Sequence, residues 1–113
     1  GEIRPNEISL DLVADIEKLK PFGIGNEEPI FLVKNLFVNE RCFLGSDKKH
    51  LKFFFSQDLI EKTQTFEAIS FGGGEKFSTF KEGDQIDLVC NIQKNDWNGN
   101  SRVQLNIIDM KIS

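Results

Sequence analysis

The chain of 113 residues contains no tyrosine, one tryptophan, one histidine, three prolines and two cysteines. Cys42 and Cys90 lie far apart with no further cysteine to pair, which argues against a secreted disulfide framework and reads both as small core residues. A lone histidine without a nucleophile–base pair leaves hydrolytic chemistry unsupported, so no catalytic residue is assigned. Cys42, His50 and Cys90 have no recognised zinc spacing, so no metal site is expected either. No apolar run approaches the ~18 to 20 residues that cross a bilayer, and the N-terminus has no basic stretch followed by an apolar one. These absences imply a soluble, cytoplasmic chain with no membrane partner. Gly1 stands where an initiator methionine would, which suggests a cleaved tag or a piece cut from a longer protein.

What remains is 39% hydrophobic and 28% charged, the balance of one compact domain. A domain of this size buries roughly two thirds of its unfolded surface and needs no staple. Eleven of the aromatic residues are phenylalanine, so nearly all aromatic surface is purely apolar. Fourteen Lys and Arg against eighteen Asp and Glu leave a formal charge of -4, which excludes a surface that is a polyanion trap throughout but permits a local basic strip.

Residues 8 to 20 predict a helix. Leu12, Val13, Ile16 and Leu19 recur at helical spacing, Ser9 is placed to cap the N-terminus, Ile8 and Val13 to staple it, and Pro21 to end it. Pro21 to Pro29 is too rich in Pro, Gly and Asn for helix or strand and reads as a shaped connector. Strands are then expected at Phe31 to Phe43, His50 to Ser56, Phe66 to Phe71, Asp84 to Gln93 and Ser101 to Ile112. In the second of these, alternation puts Leu51, Phe53 and Phe55 on one face and His50, Lys52 and Phe54 on the other. Gly72-Gly73-Gly74 reads as a flexible connection into one or two helical turns over Glu75 to Phe80. Asn95 to Asn100 reads as a hairpin loop, with Asn98-Gly99 supplying the positive-φ positions of its turn.

The order predicts a mainly β domain: a five-stranded OB-fold barrel with an N-terminal helix and a short helix between the third and fourth strands. A small open sandwich is the rival. Closure is preferred because the first and last strands are long and apolar, and a barrel removes their exposed edges.

In such a barrel the second and third strands and the loops joining strands one to two and four to five form the binding face. Arg41 to Lys52 holds Arg41, Lys48, Lys49 and Lys52 against Asp47, beside His50, so cations gather where phosphates would be met. The bland alternative is a solvated turn kept soluble by lysines. Trp97, bracketed by Lys94 and Arg102, is a candidate for stacking on bases, or folds back over its own hairpin. Phe54 is either a stacking platform or the seat of a covering element. The glycine motifs are weak: Gly23-Ile24-Gly25 lacks the third glycine of a dinucleotide fingerprint, and Glu75 opposes a phosphate after Gly72 to Gly74. Asp11 and Asp15 are ordinary solvent-facing helix carboxylates.

The stretch Leu19-Lys20-Pro21-Phe22-Gly23-Ile24-Gly25-Asn26-Glu27-Glu28-Pro29-Ile30-Phe31 is followed by Leu44-Gly45, His50-Leu51-Lys52, Asn95-Asp96-Trp97-Asn98-Gly99 and Val103-Gln104-Leu105. Together these segments resemble the OB domain of bacterial RecJ, a single-stranded-DNA-specific exonuclease of DNA repair and recombination. The resemblance runs from the leading helix to Asp109, and PFGxGN followed by Pro and Phe is its most specific motif. The family usually has Pro where this chain has Glu27.

The resemblance implies a fragment that is not itself an enzyme. Residues 1–30 would form a linker helix and PFGxGN connector, and 31–113 the OB-fold domain. The parent would cut single strands 5′ to 3′ with Mn²⁺ or Mg²⁺ held in catalytic domains whose signature this chain lacks. This domain would then bind single-stranded DNA. Lys48, Lys49, Lys52 and Arg102 would meet phosphate, Trp97 and Phe54 would stack bases, Asn95 and Gln104 would add polar contacts, and His50 belongs to the same nucleic-acid-binding set. The alternative is an interaction module that clamps the catalytic domains in cis or recruits a partner such as single-stranded DNA-binding protein. The acidic total and the outward-facing Phe54 and Val89 favour it.

Overall fold

A computed structural model describes residues 1–62 and 64–113. Strand β1 (Glu2–Ile3) and a 3-10 turn (Pro5–Glu7) precede helix α1 (Leu10–Glu17), and then come β2 (Phe31–Leu44), β3 (His50–Ser56), β4 (Thr65–Ser70), β5 (Gln85–Trp97) and β6 (Asn100–Ile112). The strands run in the order β1-β2-β3-β4-β6-β5, and β2 pairs again with β5, which closes β2 to β6 into a barrel. The expected closed solution holds.

Closure depends on β2 bending so that one strand serves two neighbours. Its first half runs antiparallel to β5, from Phe31 opposite Cys90 to Phe37 opposite Gln85. Its second half pairs with β3, from Phe37 opposite Ser56 to Leu44 opposite His50. Register shifts between Val33 and Leu36, and between Val38 and Glu40, mark where it bends. At the first, Asn35 takes φ of 60° and donates its backbone N–H to Asp87 Oδ1 at 3.1 Å. Ser113 donates its hydroxyl to the same oxygen at 2.7 Å. These bonds, the Ser113 hydroxyl foremost, hold the Asp87 carboxyl below its usual pKa. The short β1, too brief to show periodicity in sequence, lies parallel to Leu32 and Val33.

Alternation fills the interior. Leu51, Phe53 and Phe55 from β3 are fully buried and face Ser70, Ala68 and Phe66 of β4. Phe53 and Phe55 stack with centroids 5.4 Å apart. Ile86, Leu88 and Cys90 of β5 and Leu105 of β6 complete the layer, also with no exposure. Burial pushes the Cys90 thiol up to about 12, whereas Cys42 lies exposed. Helix α1 adds Val13 and Ile16 to this core, joined by Ile8. Ser9 caps it, its hydroxyl accepting the Leu12 N–H at 3.1 Å.

Three elements differ from expectation. The helix ends at Glu17 rather than Lys20, its last residues relaxing into i→i−3 bonds such as Leu19 N–H to Ile16 O. The loop expected at 95 to 100 shrinks to the Asn98-Gly99 turn, with φ of 50° and 80°, so Trp97 ends a strand. The short helix expected between the third and fourth barrel strands is instead a run of turns over 71–80. Six residues after three glycines are too few for cooperative helix. Phe77 is nonetheless buried in the core, and the Arg41 guanidinium donates to the carbonyls of Ser78 and of Phe80, the latter at 2.6 Å. Among the described residues no helix is long and apolar enough to cross a membrane.

Phe53→Ala should cost about 3 to 5 kcal/mol in urea unfolding, and Phe54→Ala, one residue along on the other face, distinctly less. In the native state at pH 8 a disulfide reagent should titrate Cys42 and spare Cys90, which reacts only on unfolding. Because the folded pKa of Cys90 lies above the unfolded value of 9.0, its contribution to stability should fade as pH rises from about 9 toward 12.

Candidate nucleic-acid interface

Strand register decides which side chains share a face. On β3 and β4 the outward pairs are Lys52 with Ile69 and Phe54 with Glu67. Antiparallel pairing of β5 and β6 sets Gln93 opposite Gln104, Asn95 opposite Arg102 and Trp97 opposite Asn100. β6 in turn lies beside β4, with Ala68 level with Leu105. Beyond the pairs Phe31–Cys90 and Ala68–Leu105 the β5–β6 hairpin meets no third strand among the described residues and projects as a two-stranded ribbon. Lys52, Phe54, Asn95, Trp97, Arg102 and Gln104 therefore belong to one continuous outer surface.

Trp97 is 67% exposed at the ribbon's end and does not fold back over its hairpin. Asp96, on the other face of the ribbon, instead takes Lys94 at 3.7 Å and the Ser101 hydroxyl. Phe54 is half-buried and forms a wall of a pocket of about 330 Å³, with Ile8, Phe66, Glu67, Arg102 and Val103. α1 packs on β5 and β6, and Ile8, just before it, approaches Phe54 across the pocket.

The charged residues are organised by one that sequence reasoning passed over. Glu67 is only 9% exposed, and its two oxygens go to different cations: Oε1 lies 3.0 Å from Lys52 Nζ and Oε2 lies 3.4 Å from Arg102 Nε. A carboxylate this deep needs such pairing to offset its lost hydration. The pairing is incomplete, since Oε1 has no hydrogen-bond partner of good geometry. Alternation alone signals that Glu67 shares the outer side with Phe54, but nothing in the sequence marks its two partners.

The β2–β3 loop has a different logic. Lys48 is exposed at φ of 58°, while Lys49 reaches Asp47 at 3.4 Å in a pair open to solvent on both sides. His50 is turned to structure: its Nδ1 accepts the Gly72 N–H at 2.8 Å, and its ring sits edge-on to Phe71 at 5.6 Å. Arg41, part of the same basic stretch, is spent on the 71–80 turns. The glycine run is not a loose connection. Gly73 and Gly74 are buried, Gly74 N–H donates to Lys49 O at 2.7 Å, and a Cβ on Gly74 would lie 2.2 Å from Lys48 O. The glycines thus let the 71–80 turns press directly on the lysine loop.

The connector is likewise built. Asn26 Nδ2 donates to Leu19 O at 2.6 Å and Pro21 O at 2.7 Å, and Gly23 and Asn26 exchange backbone hydrogen bonds around a turn with Gly25 at φ of 83°. Asn91 Nδ2 donates to Pro29 O at 2.9 Å and Gln93 Nε2 to Glu28 Oε1 at 3.2 Å, which fastens the connector to β5. Ile24 is left wholly exposed at its tip. Among the described residues no group of three or more His, Cys, Asp and Glu side chains could hold a metal ion.

The chain is similar to several known proteins. The family described as the RecJ OB domain matches residues 1–109. The single-stranded-DNA-specific exonuclease RecJ of Bacillus subtilis is 27% identical over 107 residues, which cover 95% of this chain and 13% of that protein. The crystal structure of RecJ with Mg²⁺ from Thermus thermophilus superposes with a TM-score of 0.64 at 21% identity, over 98% of this chain and 16% of that one. The second single-stranded DNA-binding protein of Mycobacterium smegmatis shares the fold at a TM-score of 0.56 and 14% identity, over 76% of this chain and 87% of that one. The chain thus spans about an eighth of the curated relative it matches.

Gly74→Ala should destabilise the domain by about 1 to 3 kcal/mol, because backbone rather than a movable side chain blocks the added methyl. Amide hydrogen exchange should quicken at Lys48 to His50 in that variant, and unchanged exchange there would show that the glycine contact does not hold the loop.

Proposed function

The chain belongs to the RecJ OB domain family, and from that premise we propose that it is the single-stranded DNA-holding module of a RecJ-like 5′ to 3′ exonuclease. The observation that carries this reading is the shared outer face: exposed Trp97, half-buried Phe54 and the cations Lys52 and Arg102 lie on adjoining strands β3, β4, β6 and β5. Bases stack on rings regardless of sequence, and phosphates follow cations, so this mixture suits a single strand of any sequence. Lys48 and Lys49 continue the positive edge, Asn95 and Gln104 supply polar contacts, and His50 acts by bracing Gly72 more than by meeting phosphate.

In this reading residues 31–113 hold the strand, and residues 1–30 join the barrel to catalytic domains acting in cis. Those domains would cut the strand in the cytoplasm with Mg²⁺ or Mn²⁺ that they, not this chain, would hold. The Mg²⁺ complex of the Thermus relative supports that metal use. The second reading, an interaction module, draws on wholly exposed Ile24 at the connector's tip and on the net charge of -4. A contact to the catalytic domains or to single-stranded DNA-binding protein would centre on that exposed Ile24.

Trp97 is the only tryptophan, so its fluorescence reports directly on the site. Titration with an oligodeoxythymidylate at low salt should quench it saturably, and Trp97→Ala, followed by anisotropy of a labelled strand, should weaken binding about 5- to 150-fold, the worth of one stacked base. No saturable binding at low salt would leave the interaction module as the better reading.

A further inference from the structure

We propose that Glu67 is an internal counter-anion that holds Lys52 and Arg102 in reserve, so that an incoming strand must compete with a protein carboxylate for both cations. The inference rests on the reading of this face as a DNA site and concerns how its affinity is set.

Three observations carry it. Glu67 sits on the central strand of the face, and each carboxylate oxygen is given to a different cation, Lys52 at 3.0 Å and Arg102 at 3.4 Å. The two cations are not sequestered with it: the Arg102 side chain is 56% exposed and that of Lys52 24%, against 9% for Glu67. Finally, Oε1 lacks a well-aligned hydrogen bond, so the Lys52 pair is close in distance but unlocked in direction.

The ion pair of the β2–β3 loop behaves differently. Asp47 and Lys49 are both largely exposed, and water screens such pairs almost completely, so Lys49 is already available to phosphate. A buried carboxylate is screened far less, and it subtracts about one charge from the cluster where a phosphate would land. Counterion release scales with the phosphates a protein neutralises, so a face quenched from within binds more weakly and with a shallower salt dependence than its lysine and arginine count implies. A strand held this way exchanges easily, which suits a module past which a substrate must advance.

The test is Glu67→Gln, which keeps shape and removes the charge. Asp15→Asn on α1 makes the same change in net charge away from the β3–β4 face. At about 50 mM salt, Glu67→Gln should bind a labelled single strand about three- to tenfold tighter than the unaltered chain, with a salt slope steeper by ~0.7 for each cation freed, and Asp15→Asn should change little. Weaker binding by Glu67→Gln would mean that Glu67 positions the cations instead, and equal gains in both variants would reduce the effect to net charge; either result overturns the proposal. If neither the unaltered chain nor Glu67→Gln binds, the DNA reading itself falls, and this proposal with it. If binding appears only in Glu67→Gln, the quenching by Glu67 stands while the reading of the unaltered chain as a strand-holding module falls to the interaction module. Should thermal unfolding show Glu67→Gln to be misfolded, Glu67→Ala, which also removes the charge, should give a gain in the same direction, and no gain in a folded Glu67→Ala would refute the proposal.

Discussion

The double pairing of β2, with β5 through its first half and β3 through its second, is the constraint on which the rest of the molecule depends. It closes the sheet, and closure gives each barrel strand a dry side and a wet side. Phe53 and Phe55 then have no exposure while Phe54 between them must face out. The same closure carries β6 beside β4, so the outer residues of β3 and β4 meet those of the β5–β6 ribbon. Without the bends near Asn35 and Asn39, β2 would serve one neighbour, and Trp97 and Lys52 would not share a surface.

On that surface, charge is arranged by depth rather than by count. A net charge of -4 looks unfavourable for binding a polyanion, but most acidic residues are solvated and screened at ordinary salt. The carboxylate that matters electrostatically is the buried one. Glu67 ties β4 to cations from β3 and β6, so it is part of how the face is built and, in the proposed role, would set how strongly the face attracts phosphate. The glycine run plays a comparable part for the lysine loop, where the lack of a side chain at Gly74 permits backbone contact with Lys49.

The barrel was legible in the sequence because its signals are local. Alternation in His50 to Ser56 reports the two faces directly, Ser9 reports a helix start, and Asn98-Gly99 reports a tight turn. Glu75 to Phe80 looks helical locally, but the segment is held as turns by Arg41, more than thirty residues away in the chain, and by the burial of Phe77. His50 and Glu67 show the same limit at the site. A histidine in a basic stretch and a glutamate in a strand carry no mark of the Gly72 amide or of the Lys52–Arg102 pair, because those partnerships exist only once β3, β4 and β6 are side by side. The rings and cations could be picked out by residue type, but the shared pairing of Lys52 and Arg102 with Glu67 could not.

The central claim is that one face, spanning β3, β4 and the β5–β6 ribbon, holds the strand. Backbone amide chemical shifts of the domain, followed as a short oligodeoxynucleotide is added at low salt, test this most directly. The account predicts the largest changes at residues 48–54, 65–69 and 94–104, with the connector at 21–29 and helix α1 little affected. Shifts concentrated on the connector or the helix, with that face silent, would contradict it.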